Sequence, residues 1–473
     1  MNRAINKKIL PGLFLACMII FLPVKGLSQL TAAQNYARNR PGVVMVKTSF
    51  SATMYVNQVV IDKNIFNALL DSISGISNNG TFLSSEQKLD ILLASFSNKP
   101  SRFFKNTADY RRHSQHITTA GTGFFITEDG SVVTNCHVVD EAGDEIRRKF
   151  ILSAFRQVTE SNINALQAAW AVKFSDEQKE LLYSTFAKVY SSIQSILLEN
   201  FQKNIYVVYA TDTSGNQPAS KTAIARLVSK GQSMPGKDVA ILKIENTQPL
   251  PALHLADSML PRIGDGIFVF GYPDPVSRNE YLSAESILEP TLTTGIVSGI
   301  RKTTNAWSVV QMDADINHGN SGGPVCNEKG EVIGIATFGS IESRTGALAA
   351  GMNSSIPVNV LLQFLDSAGI YPKQGRLSKL YNRIMDDYDN EEYRSALRKL
   401  QRLQKLNSSF PGLSFYTSDC KMKIESGMDK TEQKIKLWLL VAGLLVLTIG
   451  LVLFRKFWIK RKTTGKQLIN MNG

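Results

Sequence analysis

Between residues 43 and 338 the sequence is cut into short β-rich runs separated by glycine, aspartate and proline, and this punctuation constrains the fold more than any other feature. The runs are 43–48, 123–127, 132–135, 205–209, 223–228, 239–244, 267–270, 291–297, 309–312 and 332–338. The second and third flank Asp129-Gly130, which reads as a hairpin turn. Many short strands with turn residues between them predict an antiparallel sandwich or barrel. Two segments break the pattern. Ser84 with Gln87 and Ser175 with Gln178 have capping-box spacing. Leu89, Leu92, Leu93 and Phe96 follow the first at helical period, and Leu182, Phe186, Val189, Ile193 and Leu197 follow the second. Both are predicted to be surface helices set between strands.

The ends carry membrane signals. Residues 1–28 open with Arg3, Lys7 and Lys8, continue through an apolar stretch and reach Gly26 and Ser28, the layout of a cleaved signal peptide. Near the other end, residues 437–454 form an apolar run of about eighteen residues, enough to cross a hydrocarbon core. The tail, 455–473, holds Arg455, Lys456, Lys460, Arg461, Lys462 and Lys466 with no acid, so it is expected in the cytoplasm. The chain is thus expected to be a single-pass membrane protein with residues 29–436 outside the cytoplasm, periplasmic if bacterial. Its net charge of +13 lies largely beside these apolar runs, which argues against nucleic acid as a partner.

Of four cysteines, Cys17 leaves with the signal. Cys136 and Cys326 are either a disulfide pair or two buried thiols, and Cys420 makes the count odd. His113 and His116 fall in a basic loop, no further ligands follow, and no metal or cofactor is expected. His254, between leucines, is expected to be a partly buried strand residue.

Chemistry enters with Gly319-Asn320-Ser321-Gly322-Gly323-Pro324, a serine in a glycine-rich turn just before a strand, where backbone amides can converge into an oxyanion hole. A serine hydroxyl is a weak nucleophile until an imidazole takes its proton and a carboxylate orients that imidazole. His137 stands in Thr134-Asn135-Cys136-His137-Val138-Val139, and Asp238 opens Asp238-Val239-Ala240-Ile241-Leu242-Lys243. A cysteine hydrolase built on Cys136 or Cys326 lacks an oxyanion turn and a base of its own.

The chain order His, Asp, Ser with these motifs resembles the trypsin-like serine proteases, specifically the HtrA-like (Do-like) branch, in which TNxHVV, DxAxLK and GNSGGP recur. Supporting pieces are Gly121-Thr122-Gly123-Phe124, Gly264-Asp265, Gly271-Tyr272-Pro273, Thr294-Gly295-Ile296-Val297-Ser298, and Ser355-Ile356-Pro357 after the last barrel strands. The resemblance covers about residues 40–369 apart from the inserts. It implies a mainly β fold: two six-stranded antiparallel β-barrels with the triad between them. It also implies Ser321 as nucleophile, His137 as general base and acid, Asp238 as its orienter, and the amides of Gly319 and Ser321 as oxyanion donors.

The sequence departs from that family pattern in several places. From His137 to Asp238 is 101 residues, far more than the pattern needs, because a helical insert near 142–204 intervenes and is placed by topology to gate the cleft. A second insert, near 51–117, separates the first strand from the histidine hairpin. No PDZ module is expected after the protease domain (29–370). Residues 371–436 are too short for one and helical in composition, and Tyr393, Ala396, Leu397, Leu400 and Leu403 resemble one tetratricopeptide unit. Repeat arrays need about three units, so a helical juxtamembrane stalk is expected there. Asn320 replaces the aspartate that pairs with a cut N-terminus in digestive trypsins, so activation by clipping is not expected.

Asp315 lies six residues before Ser321, the offset of the residue at the base of the trypsin specificity pocket. Two readings stand: a carboxylate selecting basic side chains, or a residue that hydrogen-bonds backbone while Ile316 and Ala336 line the pocket. His318 is expected to face the cleft. The expected activity is a membrane-anchored serine endopeptidase acting on protein or peptide substrates. The alternative is a catalytically idle protease fold serving as a tethered binding or signalling module.

Overall fold

The computed structural model describes residues 29–469 except 79–81, 141–142, 194–195, 213–217, 247, 258–259, 275–280 and 342–347. The expected signal peptide, 1–28, lies outside the described residues.

Strands β1 (Val43–Ile61), β2 (Phe104–Phe125), β3 (Ser131–Thr134), β4 (Ile196–Asp212), β5 (Pro218–Lys230) and β6 (Ala240–Ile244) close into one barrel in the order β1-β2-β3-β6-β5-β4. Strands β7 (Gly266–Gly271), β8 (Thr291–Lys302), β9 (Ser308–Met312), β10 (Pro324–Asn327), β11 (Val332–Ile341) and β12 (Leu348–Pro357) close into a second, β10-β11-β12-β9-β8-β7. Alternation along β1 shows how the sequence builds both layers at once. Val44 and Val46 join the first barrel's core with Phe125, Val207 and Leu242, while Val43 and Met45 point the other way. These last two join Phe124, Ile241, Phe270, Ile335 and Ile356 in a core shared by the barrels. Strands buried on both faces read as continuous apolar runs, and this is why β1 begins Val-Val-Met-Val. Ser355 and Ile356, expected after the last strand, belong to β12 and pair with Ala336 and Ile335.

The inserts differ from expectation. Helices α2 (Lys63–Asn78) and α3 (Ser85–Asn98) lie between β1 and β2, and α4 (Gly143–Trp170) and α5 (Asp176–Ile193) between β3 and β4, after α1 (Ala32–Asn39) at the start of the described chain. The predicted capping boxes form at Ser84 and at Ser175, each serine Oγ accepting from the backbone N–H of the glutamine three residues on. However, the inserts near 51–117 and 142–204 are not wholly helical. The barrel strands run on into them, β1 to Ile61, β2 from Phe104 and β4 from Ile196, because Thr53, Tyr55, Val56, Val59, Val60 and Ile61 are β-branched or aromatic. Leu197 accordingly sits in β4 rather than in the second helix.

Nor are these separate surface helices. Phe66 stacks on Trp170, Phe104 packs on Phe186, and Gln178 Nε2 donates to Asp90. Phe50, Met54, Leu93, Phe96, Phe150, Phe174 and Leu182 fill a single core that both inserts share. Two segments distant in sequence thus form one folded unit on the extended strands of the first barrel.

After the second barrel come α6 (Val358–Ser367), α7 (Arg376–Asp389), α8 (Tyr393–Leu406), α9 (Leu413–Glu425) and α10 (Thr431–Ile469). The expected stalk over 371–436 is instead a docked unit. Leu377, Tyr381, Ile384, Leu400, Leu403, Phe410 and Tyr416 form its core. Tyr381 Oη donates to the Ala37 carbonyl, Asn407 Nδ2 to the Pro249 carbonyl, and Asp212 accepts from the Gly412 and Ser414 amides. An amphipathic helix needs a surface to cover its apolar stripe, and here neighbouring helices and α1 supply it. Helix α10 covers the run 437–454. Among the described residues no helix is long and apolar enough to cross a membrane, and the side chains of residues 437 and 438 lie outside that set.

Candidate active site

His137 lies in the single helical turn Cys136–Val139 that follows β3, and Asp238 lies two residues before β6. Strands β3 and β6 pair from Ser131–Lys243 to Thr134–Ala240, so the two side chains leave one end of the same barrel. Asp238 is 1% exposed. Its Oδ1 accepts the His137 backbone N–H at 2.9 Å, and its Oδ2 lies 2.6 Å from His137 Nδ1 and accepts the Thr337 hydroxyl at 2.9 Å. The main chain beside it is also held, since Asn135 Nδ2 donates to the Asp238 carbonyl at 2.7 Å. A buried carboxylate is tolerated only when its lone pairs are met, and here three donors meet them. The ring, 39% exposed, is thereby fixed with Nδ1 toward the carboxylate and Nε2 free to face the cleft.

Ser321 comes from the other barrel, in the turn before β10. Its Oγ donates to the Thr337 carbonyl at 2.7 Å and not to the imidazole. Thr337 on β11 therefore touches both Ser321 and Asp238, its carbonyl with one and its hydroxyl with the other. Gly319 and Gly322 have φ of +100° and +88°, backbone that side chains rarely adopt, and a Cβ at Gly322 would lie 2.1 Å from the Thr122 carbonyl oxygen. The His318 carbonyl accepts from the Asp274 N–H at 2.6 Å. A planar trans peptide then aims the Gly319 N–H the opposite way. Among the described residues neither that N–H nor the Ser321 N–H donates to a backbone carbonyl, so both are available to a ligand oxygen.

The structure decides between the two specificity readings only in part. Asp315 is exposed, so its carboxylate is not at the base of a closed pocket; its carbonyl accepts from Thr293 Oγ1. Ile316 and Ala336 are buried in one apolar cluster, and His318 is exposed. His254 is exposed rather than partly buried, 3.7 Å from Glu331. His113 and His116 lie on β2, not in a loop. Cys136, Cys326 and Cys420 are all free and buried, and burial raises the Cys136 thiol above its usual range, with the Asp238 charge adding to the shift. That holds the thiol protonated, the opposite of what a nucleophile needs.

The sequence named Thr122 only within the Gly121–Phe124 motif, with no role assigned to it. It is fully buried, its hydroxyl donates to the Gly319 carbonyl at 2.6 Å and accepts the Tyr272 N–H at 2.9 Å, and its N–H donates to the Ser321 carbonyl at 2.8 Å. One first-barrel residue thus clamps the serine turn of the second. The available signal was Gly121, where a Cβ would lie 2.6 Å from Val138 and 3.1 Å from the Ser321 carbonyl oxygen.

This geometry coincides with a family match. Residues 121–335 match the trypsin-like peptidase domain. The serine endoprotease DegS of Salmonella typhimurium is 32% identical over 133 residues, 27% of this chain and 34% of that protein. The periplasmic serine endoprotease DegP of the same species is 35% identical over 180 residues, 37% of this chain and 33% of that protein. The chain spans about a third of the length of these curated relatives. Among solved structures, the serine endoprotease from Yersinia pestis overlaps 72% of this chain and 67% of its own at 18% identity, with a TM-score of 0.33. The matched trypsin-like peptidase domain contains His137, Asp238, Ser321 and most of the second barrel, and it also contains the insert 142–204.

Proposed function

We propose that the chain is a serine endopeptidase in which Ser321 is the nucleophile, His137 the general base and acid, and Asp238 the orienter. One observation carries the reading: the buried Asp238 carboxylate accepts His137 Nδ1, while Thr337 joins that carboxylate to the Ser321 hydroxyl. For catalysis, rotation about the Ser321 Cα–Cβ bond must move Oγ off the Thr337 carbonyl and onto His137 Nε2. The imidazole then accepts the hydroxyl proton as Oγ attacks the peptide carbonyl carbon, and the Gly319 and Ser321 N–H groups stabilise the oxyanion. The imidazolium gives its proton to the leaving amine, which leaves an acyl-enzyme. Water attacks the ester by the same route, releasing the acid and restoring the serine.

The chain is further proposed to be tethered to a membrane, its peptidase outside the cytoplasm. Helix α10 exposes Leu439, Leu440, Leu444, Leu447, Val452 and Phe454 at roughly 55–70%, a display that water disfavours and lipid accommodates. Protein or peptide substrates are proposed from the activity the relatives are named for, endoproteolysis. An idle protease fold has one observation in its favour, the Ser321 hydroxyl resting on Thr337 rather than on the imidazole.

The test is labelling by a fluorophosphonate probe together with cleavage of a peptide library, wild type against Ser321→Ala. Labelling and cleavage by wild type alone support the enzyme. Absence of both in a folded wild type favours the idle fold, and equal labelling of the two forms removes Ser321 from the role.

A further inference from the structure

A cavity of about 770 Å3 opens between α7 and α8, sharing no lining residue with the serine site. Its walls carry Lys373, Arg376, Lys379, Arg383, Arg402 and Lys405, with Leu380 and Leu406 between them and no acidic side chain. All six cations are exposed, and among the described residues none makes an ion pair. Elsewhere in the helical unit Lys399, Lys423, Lys430, Arg38 and Arg394 each meet a carboxylate, while Arg398 and Lys421 stand exposed without one among the described residues. Arg376, Lys379 and Arg383 stand at helical spacing on one face of α7, and Arg402 and Lys405 on one face of α8. The Glu128 carboxylate lies beside Gly375 at one end of the groove, where its Oε1 accepts the Ser378 N–H at 2.8 Å near the start of α7. Six like charges converging on one concavity repel one another, and an anion relieves that repulsion.

We propose that this groove binds an acidic segment of a partner protein. From Arg376 to Arg383 the α7 stripe runs about 10 Å, the reach of several residues of extended peptide. The two leucines suit apolar side chains between the acids. The lining has no aromatic ring on which a nucleobase would stack, which argues against single-stranded nucleic acid. A lipid surface fits less well. Helix α10 joins this unit at the opposite end of the α7–α8 hairpin, where Lys430 donates its N–H to the Glu391 carbonyl and Arg394 pairs with Glu432. Arg402 and Lys405 lie about 12–17 Å further along α8 from Arg394, more than a Debye length at physiological salt.

The experiment uses the full chain in detergent and a fluorescein-labelled decaglutamate peptide, read by anisotropy. Saturable binding is expected, weakened about tenfold or more by Arg383→Glu with Arg402→Glu, and in the same direction by the glutamine pair. The equally exposed pair Arg111→Glu with Arg112→Glu on β2 should leave it unchanged. Equal loss in both glutamate pairs, or no saturation at low salt, overturns the proposal. So does displacement by tripolyphosphate below the peptide's own concentration, which would make this a small-phosphate site. Capture of phosphatidylglycerol vesicles that depends on Arg383 and Arg402 while the peptide fails to bind overturns it in favour of a lipid surface.

Discussion

Thr122 holds Gly319 across the barrel interface, hydroxyl to carbonyl at 2.6 Å, and so fixes the turn that presents Ser321. Thr122→Val keeps the shape and removes the hydroxyl, leaving the Gly319 carbonyl and the Tyr272 N–H without this partner in a buried site. Each orphaned group costs about 1–3 kcal/mol, so the melting temperature should fall. Because this contact holds the Gly319 carbonyl, in the peptide that leads through Asn320 to Ser321, kcat should fall more than KM rises. A variant with lowered stability but unchanged kcat would make Thr122 a packing residue only.

Asp315→Ala should leave the preference between peptides carrying Arg or Val before the scissile bond unchanged, because the carboxylate is exposed. Matched kcat/KM measurements check this. A selective loss on the Arg peptide would restore Asp315 as the specificity determinant.

Strands β1 to β9 and β11 and both caps at Ser84 and Ser175 were legible because each rests on local chemistry, a turn residue or a side chain aimed at a backbone amide. The proposed triad residues His137, Asp238 and Ser321 stand in short local motifs, whereas β10 and β12 were not legible. What was not legible was long-range. Phe66 and Trp170 stack only because the extensions of β1, β2 and β4 carry the two inserts to one place, and nothing in either stretch names the other. The docking of α7 to α9 was missed for a related reason. An apolar stripe at helical spacing reads the same whether covered by a neighbour or lying along a stalk, and the Tyr381–Ala37 contact that decides it spans 344 residues. Thr337 and Thr122 are polar residues inside apolar strands, and their partners belong to the other barrel or the cleft.

The shared core of the inserts predicts coupled behaviour. Phe96 is fully buried and touches Phe66, Phe103, Phe104 and Trp170. Phe96→Ala should cost about 3–5 kcal/mol locally. Hydrogen exchange should then rise in α4 and α5 as well as in α2 and α3, while β7 to β12 keep their protection. Loss confined to α2 and α3 would return the inserts to independent surface helices.

The thiols should resist modification. Burial raises Cys136 and Cys326 above the usual thiol range and raises Cys420 to about 11. A raised pKa means less thiolate at neutral pH, and only the thiolate reacts. Iodoacetamide at pH 7.5 should therefore label the native protein slowly and the urea-unfolded protein quickly at all three sites. Rapid native labelling of Cys136 would contradict both its burial and its protonation.

Membrane orientation is the last expectation, and it follows from charge. The tail beyond residue 454 carries Arg455, Lys456, Lys460, Arg461, Lys462 and Lys466 without one acid, whereas Lys430, Lys434 and Lys436 before the run alternate with Asp429 and Glu432. Moving six uncompensated cations across a bilayer opposes the positive-inside bias, so the tail should remain in the cytoplasm and the barrels outside it. Protease added to intact cells or spheroplasts should degrade residues 29–436 and spare an epitope fused after Gly473. Removing the apolar run 437–454 should release the peptidase into the soluble fraction. Loss of the epitope with survival of the barrels would reverse the orientation, and release of the full chain by carbonate wash would mean that α10 does not span a bilayer at all.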